Sequence, residues 1–267
     1  MYRTILDFYE KIVLEQEKIN PQLNIAPAEI HTDKITIHLK EGFPLIRKED
    51  FVLDMPSSVK LFQSVCKISM TANKKMNEHI QVIEKAFLKS TGETEELLSR
   101  YYDEPFLNTV AERLEIEKAI LTFLIQMSIQ PSIRAQREQL NGKVNPRDWL
   151  RGYCPVCGSL PQMSELKEEG KRCFLCSFCG YEWLGLRLQC PYCENSNHKQ
   201  LHYFYAEGQE AYRVDVCDKC KKYIKTIDSR KLDYTPDLYL EDIVTMHLDI
   251  IASKKGFQRP LRNIWGL

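Results

Sequence analysis

The stretch CPVCGSLPQMSELKEEGKRCFLCSFCG (residues 154–180) begins and ends with a C-x-x-C pair. Two thiolates three residues apart on a tight turn occupy two corners of a tetrahedron, and a second turn across a hairpin supplies the other two. The same pair recurs in CPYC (residues 190–193) and in CDKC (residues 217–220). The sequence therefore predicts two four-thiolate metal sites. The candidate ligands are Cys154, Cys157, Cys176, Cys179, Cys190, Cys193, Cys217 and Cys220.

The intervals between the four pairs favour sites built from neighbouring pairs. The first and second pairs are separated by 18 residues and the third and fourth by 23, whereas only 10 separate the second from the third. Each of the longer intervals accommodates a hairpin, so we expect the first pair to join the second and the third to join the fourth. An interleaved arrangement remains an alternative. A thioredoxin-type redox role is disfavoured, because no pair opens a helix within a βαβ pattern.

The residue after the second cysteine of each pair often needs a positive φ, which glycine adopts without a steric clash. Gly158 and Gly180 meet this need in the first two pairs, whereas Glu194 and Lys221 follow the third and fourth. We therefore expect less regular turns in the second site.

The metal is expected to be a folding requirement. Each ribbon spans about 30 residues, fewer than the roughly 40 at which a hydrophobic core alone usually suffices. Structural zinc in small peptides contributes on the order of 10 to 16 kcal/mol at neutral pH, which compensates for the small core. Basic residues near the turns are available as counter-charges to the thiolates, although we expect most of them to be solvated. They are Lys171, Arg172, Lys219, Lys221, Lys222 and Lys225.

Two cysteines and two histidines remain outside the predicted sites. Cys173 leads into the second pair and shares a strand face with Leu175, so we expect it to be a small buried apolar residue. A replacement ligand or a redox-active thiol is the alternative for Cys173. Cys66 lies on a helical segment and is expected to pack in a core. His198 and His202 have a metal-like interval of four, but four thiolates already complete the site, so surface or packing roles are expected.

Composition narrows the functional class. Lys+Arg and Asp+Glu both number 37, and residues 151–225 carry 11 basic against 9 acidic side chains. This balance gives little support to a nucleic-acid-binding surface. Charged residues interrupt the first 20 positions, and no later stretch reaches the roughly 20 apolar residues of a membrane helix. We therefore expect a cytoplasmic protein without membrane insertion or a nucleic-acid partner, and in that compartment clustered cysteines more often hold metal than form disulfides.

The N-terminal half is cysteine-poor, and its helical periodicity predicts a bundle. Within it, KITIHL (residues 34–39) predicts a short strand. Ser57 and Ser58 are candidate caps for the helix that follows. The longest helical run, residues 106–130, is expected to end or kink at Pro131. This half contains no nucleophile motif and no catalytic constellation.

Two further segments complete the pattern. In YEWLGLRLQ (residues 181–189), Leu184, Leu186 and Leu188 alternate as in a strand that joins the two ribbons. DLYLEDIVTMHLDIIASKKGF (residues 237–257) predicts a helix with an apolar stripe, ending near Gly256 and docking on one of the domains.

The order of four segments is more distinctive than any single motif. They are WLRGYCPVCGSLP (149–161), KRCFLCSFCGYEWLGLRLQCPYC (171–193), VDVCDKCKKYIKTID (214–228) and DLYLEDIVTMHLDIIASKKGFQR (237–259). Together they resemble the formate dehydrogenase accessory protein family, FdhE. The N-terminal half resembles the family through its helical content and the GFPLI turn at residues 42–46, and Glu194 departs from the glycine usual at that position.

The resemblance implies an α+β fold in four segments. A helical N-terminal bundle (1–148) precedes two rubredoxin-like, or zinc-ribbon-like, four-cysteine metal modules (149–187 and 188–231) and a C-terminal helical segment (232–267). The family's metal ligands correspond to the eight paired cysteines, with two ions of iron or zinc per chain. The implied function is that of a cytoplasmic maturation chaperone, not an enzyme, that binds the catalytic subunit of a respiratory formate dehydrogenase before export and is needed for its activity.

Two other function classes remain open. A zinc-ribbon nucleic-acid-binding protein would share the cysteine spacing, but the net positive charge of these ribbons is too small to attract a phosphate backbone strongly. A rubredoxin-like electron carrier acting on a partner enzyme becomes attractive if the metal is iron, and four-thiolate ligation suits iron as well as zinc.

Overall fold

The computed structural model of the protein describes residues 2–27, 32–88, 90–145 and 149–261. The described residues form two compact units, one within residues 2–27 and 48–139 and the other within residues 32–47 and 140–261. The first is helical, and the second contains a β-sheet, two groups of four cysteines and C-terminal helices. The predicted fold class is therefore confirmed.

The four-segment division of the chain stays a prediction. Residues 146–148, at its first boundary, and 262–267, at its end, lie outside the described residues. Residues 32–47, which that division assigns to the helical bundle, group with the sheet unit.

The helical unit is organised around one central helix. Its helices are α1 (Tyr2–Ile19), α3 (Met55–Met70), α4 (Lys74–Phe87), α5 (Thr91–Ser99), α6 (Glu104–Arg113) and α7 (Lys118–Glu138). Helix α3 contacts α1, α4, α5 and α7. Cys66 lies on this helix and is completely buried, and burial raises the pKa of its thiol well above the usual value. The prediction that Cys66 is a packing residue is therefore confirmed.

The start of α3 differs from the sequence prediction. Asp54, not Ser57 or Ser58, is the N-cap, and its carboxylate accepts a hydrogen bond from the Ser57 backbone N–H at 3.1 Å. Pro56 then occupies the first helical turn, where its missing N–H costs no hydrogen bond.

The long helical run also ends in a different place. It is divided into α6 and α7 at residues 114–117, where Glu115 adopts a φ of 53°. Helix α7 then continues through Pro131 to Glu138, so of the two expected outcomes, an end or a kink at Pro131, the end does not occur.

The segment predicted as a strand at residues 34–39 is helical. It lies within α2 (Thr32–Glu41), which belongs to the sheet unit. Ile35 and Leu39 are buried whereas Ile37 is 59% exposed, so the buried positions recur at the helical interval of four. The alternating isoleucines of KITIHL gave a misleading period of two.

The sheet has six strands in the spatial order β3-β2-β1-β6-β5-β4. The strands are β1 (Pro161–Leu166), β2 (Arg172–Cys176), β3 (Glu182–Gly185), β4 (Leu201–Tyr205), β5 (Tyr212–Cys217) and β6 (Lys222–Asp228). Neighbouring strands are antiparallel except β1 and β6, which are parallel and place Ser164 opposite Thr226. Because β1–β3 and β4–β6 come from the two predicted metal modules, those modules share one continuous sheet.

The connector between the modules forms less strand than expected. Strand β3 ends at Gly185, and Leu186 and Leu188 are 43% and 67% exposed. Only the first part of the predicted strand at residues 181–189 therefore pairs with the sheet.

Two C-terminal helices, α8 (Leu238–Val244) and α9 (Met246–Lys254), pack on the sheet. They meet at Thr245 instead of forming the single predicted helix, and Leu240, an apolar residue of that segment, is 44% exposed. The docking prediction is confirmed. The buried apolar side chains between helices and strands are Met163, Leu175, Ile227, Leu238, Val214, Val216, Tyr223, Leu248 and Ala252.

A buried ionic network attaches these helices to β6. Lys225 is 2% exposed, and its Nζ lies 2.8 Å from Asp242 Oδ1 and 2.7 Å from Asp249 Oδ2. Arg259 contacts Asp242 Oδ1 at 2.6 Å, and the Tyr223 hydroxyl donates to Asp249 at 2.8 Å. Burial opposes ionisation of Asp242, but Arg259 and Lys225 outweigh it and hold the pKa of that carboxyl below its usual value. Lys225 is thus a buried structural cation, unlike most of the basic residues near the turns.

A second polar network spans the parallel strand pair β1 and β6. Arg172, 4% exposed, donates to Ser164 Oγ at 3.1 Å and to Asp215 Oδ2 at 3.1 Å. The hydroxyls of Ser164 and Thr226 lie 2.8 Å apart, and Thr226 donates to Asp215 at 2.6 Å. Side chains from β2, β1, β6 and β5 are therefore linked across the middle of the sheet.

No helix within the described ranges has both the length and the apolar character needed to cross a membrane.

We predict that Lys225→Met lowers the free energy of unfolding of the metal-loaded sheet unit by about 3–5 kcal/mol, because removing one partner leaves buried carboxylate charge uncompensated. The urea midpoint of the sheet unit would report the change. Lys254→Met is the matched control, because Lys254 is exposed on α9 and its substitution should change the free energy by no more than about 0.5 kcal/mol. Equal midpoints for the two variants would contradict the assigned role of Lys225.

Candidate metal centres

The first cysteine group has the geometry of a tetrahedral metal site. The sulfur atoms of Cys154, Cys157, Cys176 and Cys179 all lie within 4.8 Å of one another. The Sγ atoms of Cys154 and Cys179 are 3.7 Å apart, and those of Cys157 and Cys176 are 3.4 Å apart. Zinc–sulfur bonds of about 2.3 Å in a tetrahedron require sulfur–sulfur distances of about 3.8 Å. The four thiols therefore fit one ion.

The second group has the same construction. The sulfur atoms of Cys190, Cys193, Cys217 and Cys220 also lie within 4.8 Å of one another. Cys190 and Cys220 are 3.7 Å apart at Sγ, as are Cys193 and Cys217. Both groups join neighbouring C-x-x-C pairs, as the intervals predicted, and the interleaved alternative does not occur.

The turns of the second group are as regular as those of the first. Gly158 and Gly180 have φ values of 73° and 69°, and Glu194 and Lys221 adopt 54° and 55° in the equivalent positions. The expectation of less regular turns was therefore wrong. The left-handed conformation costs roughly 1–2 kcal/mol for a residue with a Cβ, which indicates that the closing geometry of the turn is strongly determined.

Backbone hydrogen bonds explain this regularity. In the first pair, the Gly158 N–H donates to the carbonyl of Cys154 at 2.9 Å. The Glu194 N–H donates to Cys190 at the same distance, and the Lys221 N–H donates to Cys217 at 2.8 Å. The residue after each of these pairs is thus held against the first cysteine, whatever its side chain.

Hydrogen bonds reach sulfur atoms in both groups. The backbone N–H groups of Phe178 and Cys179 both donate to Cys176 Sγ at 3.4 Å. Burial alone would raise the pKa of Cys217, but the backbone N–H of Cys220 and the Asn195 amide stabilise its thiolate and lower that pKa to about 7. Asn195 was not singled out from the sequence, because its contact with Cys217 forms only when the third and fourth pairs meet.

The two groups differ in their access to solvent. In the first group every thiol is buried, with Cys157 the most exposed at 4%. In the second group Cys190 and Cys217 are buried, whereas Cys193 and Cys220 are half-buried. The second group is therefore the one that reagents in solution reach more easily.

A segment from the N-terminal half covers the first group. Leu45 and Ile46 are buried, and their N–H groups donate to the carbonyls of Pro155 at 2.9 Å and Val156 at 2.8 Å. The Tyr153 hydroxyl donates to the Gly42 carbonyl at 2.7 Å. Sequence reasoning did not assign residues 42–46 to this site, because Gly42 and Tyr153 are 111 positions apart and no local pattern links them.

The other candidate residues lie outside both cysteine groups. Cys173 is buried in β2 opposite Leu184 and Glu165, and burial raises the pKa of its thiol. The packing interpretation of Cys173 fits this placement. His202 is exposed and pairs with Asp218 at 3.0 Å, a surface role as expected.

Comparison with known proteins agrees with this architecture. The family model described as FdhE, C-terminal domain, matches residues 188–265. A protein FdhE homolog of Aquifex aeolicus is 28% identical over 271 residues, which cover 98% of this chain and 88% of that protein. The chain belongs to the FdhE family. The resemblance noted in the sequence is thereby confirmed.

One further relative supports membership of the FdhE family, and one solved structure shares the fold. A protein FdhE homolog of Haemophilus influenzae is 31% identical over 195 residues, which cover 72% of this chain and 61% of that protein. The crystal structure of the FdhE protein from Pseudomonas aeruginosa matches with a TM-score of 0.68 at 20% identity. That match covers 95% of this chain and 85% of the Pseudomonas chain, and it shows that the fold is shared.

We predict two metal ions per chain in protein purified without oxygen. Replacing one cysteine of either group by serine, for example Cys154→Ser or Cys217→Ser, should reduce the count to one because the tetrahedral site loses a thiolate. Cys66→Ser and Cys173→Ser are matched controls that should retain two ions. Elemental analysis of each variant checks this, and the loss of an ion in Cys173→Ser would show that the ligand assignment is wrong.

We also predict that the two ions leave at different rates. A competing chelator should release one ion first, and Cys193 and Cys220 should be alkylated before the cysteines of the first group, because they are more exposed. Mass spectrometry of peptides after timed alkylation measures the order. Earlier labelling of Cys154 and Cys157 would contradict the expected order.

Proposed function

We propose that this FdhE-family protein is a cytoplasmic maturation chaperone that binds the catalytic subunit of a respiratory formate dehydrogenase and is needed for its activity. The family is known for accessory proteins of formate dehydrogenase. The observation that carries the proposal is the combination of FdhE-family membership with two complete four-cysteine groups on one sheet. The aligned segment spans 61% of the Haemophilus relative, so the partner of the whole protein belongs to the proposal.

We propose the eight paired cysteines as ligands for two ions of iron or zinc. Four-thiolate sites suit both metals. A bound ion would fix each pair of turns and compensate for the small core that each half-sheet buries. The residues that hold it are those of the two cysteine groups. Backbone N–H groups donate to Cys176 Sγ, and hydrogen bonds to Cys217 lower the pKa of its thiol.

A binding role is favoured over catalysis by the use of buried charge in the sheet unit. Lys225 is paired with Asp242 and Asp249, and Arg172 with Asp215, so these ionic side chains hold strands and helices together. A rigid sheet of this kind is suited to presenting a fixed surface to another protein.

An electron carrier is the second candidate, because Cys193 and Cys220 are half-buried and bring the second group near solvent. This function requires iron at that group. The anaerobic protein would then show the visible charge-transfer bands of ferric thiolate, and one-electron reduction would bleach them reversibly. Zinc at both groups would eliminate this candidate and leave the chaperone proposal intact.

The chaperone proposal predicts a specific deletion phenotype. Cells without this protein should still synthesise the formate dehydrogenase catalytic subunit but accumulate it in an inactive form. Immunoblots of the subunit together with formate oxidation by membranes measure both parts. Cys154→Ser and Cys217→Ser should fail to restore activity because the turns lose their metal, whereas Cys66→Ser should restore it.

Affinity purification separates this proposal from the nucleic-acid alternative. Tagged protein from formate-grown cells should recover the catalytic subunit in a complex that survives nuclease treatment. Recovery of nucleic acid in place of the subunit, together with normal formate oxidation in the deletion strain, would replace the chaperone by a nucleic-acid-binding protein.

A further inference from the structure

A cleft of about 200 Å³ opens between residues 187–192 and strands β4, β5 and β6, beside the second cysteine group. Among the residues that the structure describes, four cationic side chains line it but only one carboxylate does, that of Asp215. The cations are Arg172, Arg187, Arg213 and Lys222. This imbalance suggests a role beyond the packing of the sheet.

The one carboxylate is already fully used. Asp215 Oδ2 accepts hydrogen bonds from Arg172 at 3.1 Å, from Arg213 at 3.3 Å and from the Thr226 hydroxyl at 2.6 Å. Arg172 also donates to Ser164 and to the Gln189 carbonyl, so its donors are directed into the sheet. Asp215 therefore neutralises one of two neighbouring guanidinium groups and cannot neutralise both.

The remaining cations have free donors. Among the described residues, neither the Arg187 guanidinium nor the Lys222 ammonium has a hydrogen bond or an ion pair. Arg213 Nε lies 3.1 Å from Asp215 Oδ1 but is buried without forming a hydrogen bond. A partly buried guanidinium with an unused donor gains a hydrogen bond when an anion enters the cleft.

The metal-site charges do not remove the imbalance. Cys190 and Cys217 also line the cleft, and four thiolates around a divalent ion carry two net negative charges. Four cations still outnumber those charges and Asp215 together. The cleft therefore remains net positive when the second group is metal-loaded.

Next to the cations is an exposed aromatic surface. Tyr203 on β4 is 59% exposed, and the Arg213 guanidinium carbon lies 4.8 Å from its ring centroid. Leu188, on the connector side of the same cleft, is 67% exposed. A flat apolar group would cover these side chains while its charged end met the arginines.

We propose that this cleft binds a small oxyanion, a carboxylate or a phosphate, carried on a flat aromatic ring. Arg187 and Arg213 hold the oxyanion, and Tyr203 stacks on the ring. This site does not depend on the proposed chaperone function, because it rests only on the lining of the cleft.

Calorimetric titration of the metal-loaded full chain tests the proposal with benzoate and phenyl phosphate, and with uncharged benzamide as the matched ligand control. Saturable binding of benzoate or phenyl phosphate, but not of benzamide, is expected, and the tighter of the two identifies the oxyanion. Arg187→Gln and Arg213→Gln should each raise the Kd at least about tenfold. Tyr203→Ala should weaken binding of phenyl phosphate but leave that of inorganic phosphate unchanged.

Lys199→Gln is the matched protein control, because Lys199 is an exposed cation outside the cleft. It should leave the Kd unchanged, and each variant should retain two metal ions as evidence of folding. Should Arg213→Gln lose metal, the variants Arg187→Gln and Lys222→Gln provide the charge test. Arg187 is exposed, so its substitution should not disturb the fold. The proposal would be overturned if neither anion bound saturably, or if Arg187→Gln left the Kd unchanged. It would also be overturned if Lys199→Gln weakened binding as much as the cleft variants do.

Discussion

Four sulfur atoms meet only when two C-x-x-C turns face each other, and this requirement organises the sheet unit. Cys154 and Cys157 precede β1, and Cys176 and Cys179 lie at the end of β2 and in the turn beyond it, so closing the first group aligns a hairpin. The second group relates β4, β5 and β6 through the turns at residues 190–193 and 217–220. Because the strands are short, the position of each depends more on this convergence than on the few apolar side chains that it buries.

The spacing of the cysteines made the meeting of four sulfur atoms in each group predictable. Each C-x-x-C turn is local in sequence, so its geometry does not depend on the rest of the fold. The predictions that failed involve contacts between distant segments. KITIHL was read as a strand because its period is locally ambiguous, whereas the burial of Ile35 and Leu39 selects a helix. Lys225 carried no signal of burial, because Asp242 and Asp249, which neutralise it, lie on helices that follow the sheet. Glycine at the turns was a sufficient signal for a positive φ but not a necessary one, because backbone hydrogen bonds hold Glu194 in the same conformation.

The two cysteine groups use the same turns in different surroundings. Residues 42–46 add backbone hydrogen bonds beside the first pair and bury it, so that group resembles the interior of the unit. The second group has two half-buried sulfurs and borders a cleft with four cationic side chains. Solvent access and local charge are the properties by which a protein tunes a thiolate-bound metal. One FdhE-family chain thus contains two four-cysteine groups of the same construction in contrasting environments.

The parallel pairing of β1 with β6 has a consequence for how this sheet can be divided. The family model for the C-terminal domain starts at residue 188, after β3, but the hydrogen bonds of β6 continue into β1. Separating the halves would turn β1 and β6 into unpaired edge strands, and the Ser164 and Thr226 hydroxyls would lose their contact with each other. Exposed edges of this kind pair with any available strand and favour aggregation. Loss of either half would therefore endanger the solubility of the other, which is a physical reason for both halves of the sheet to stay in one polypeptide.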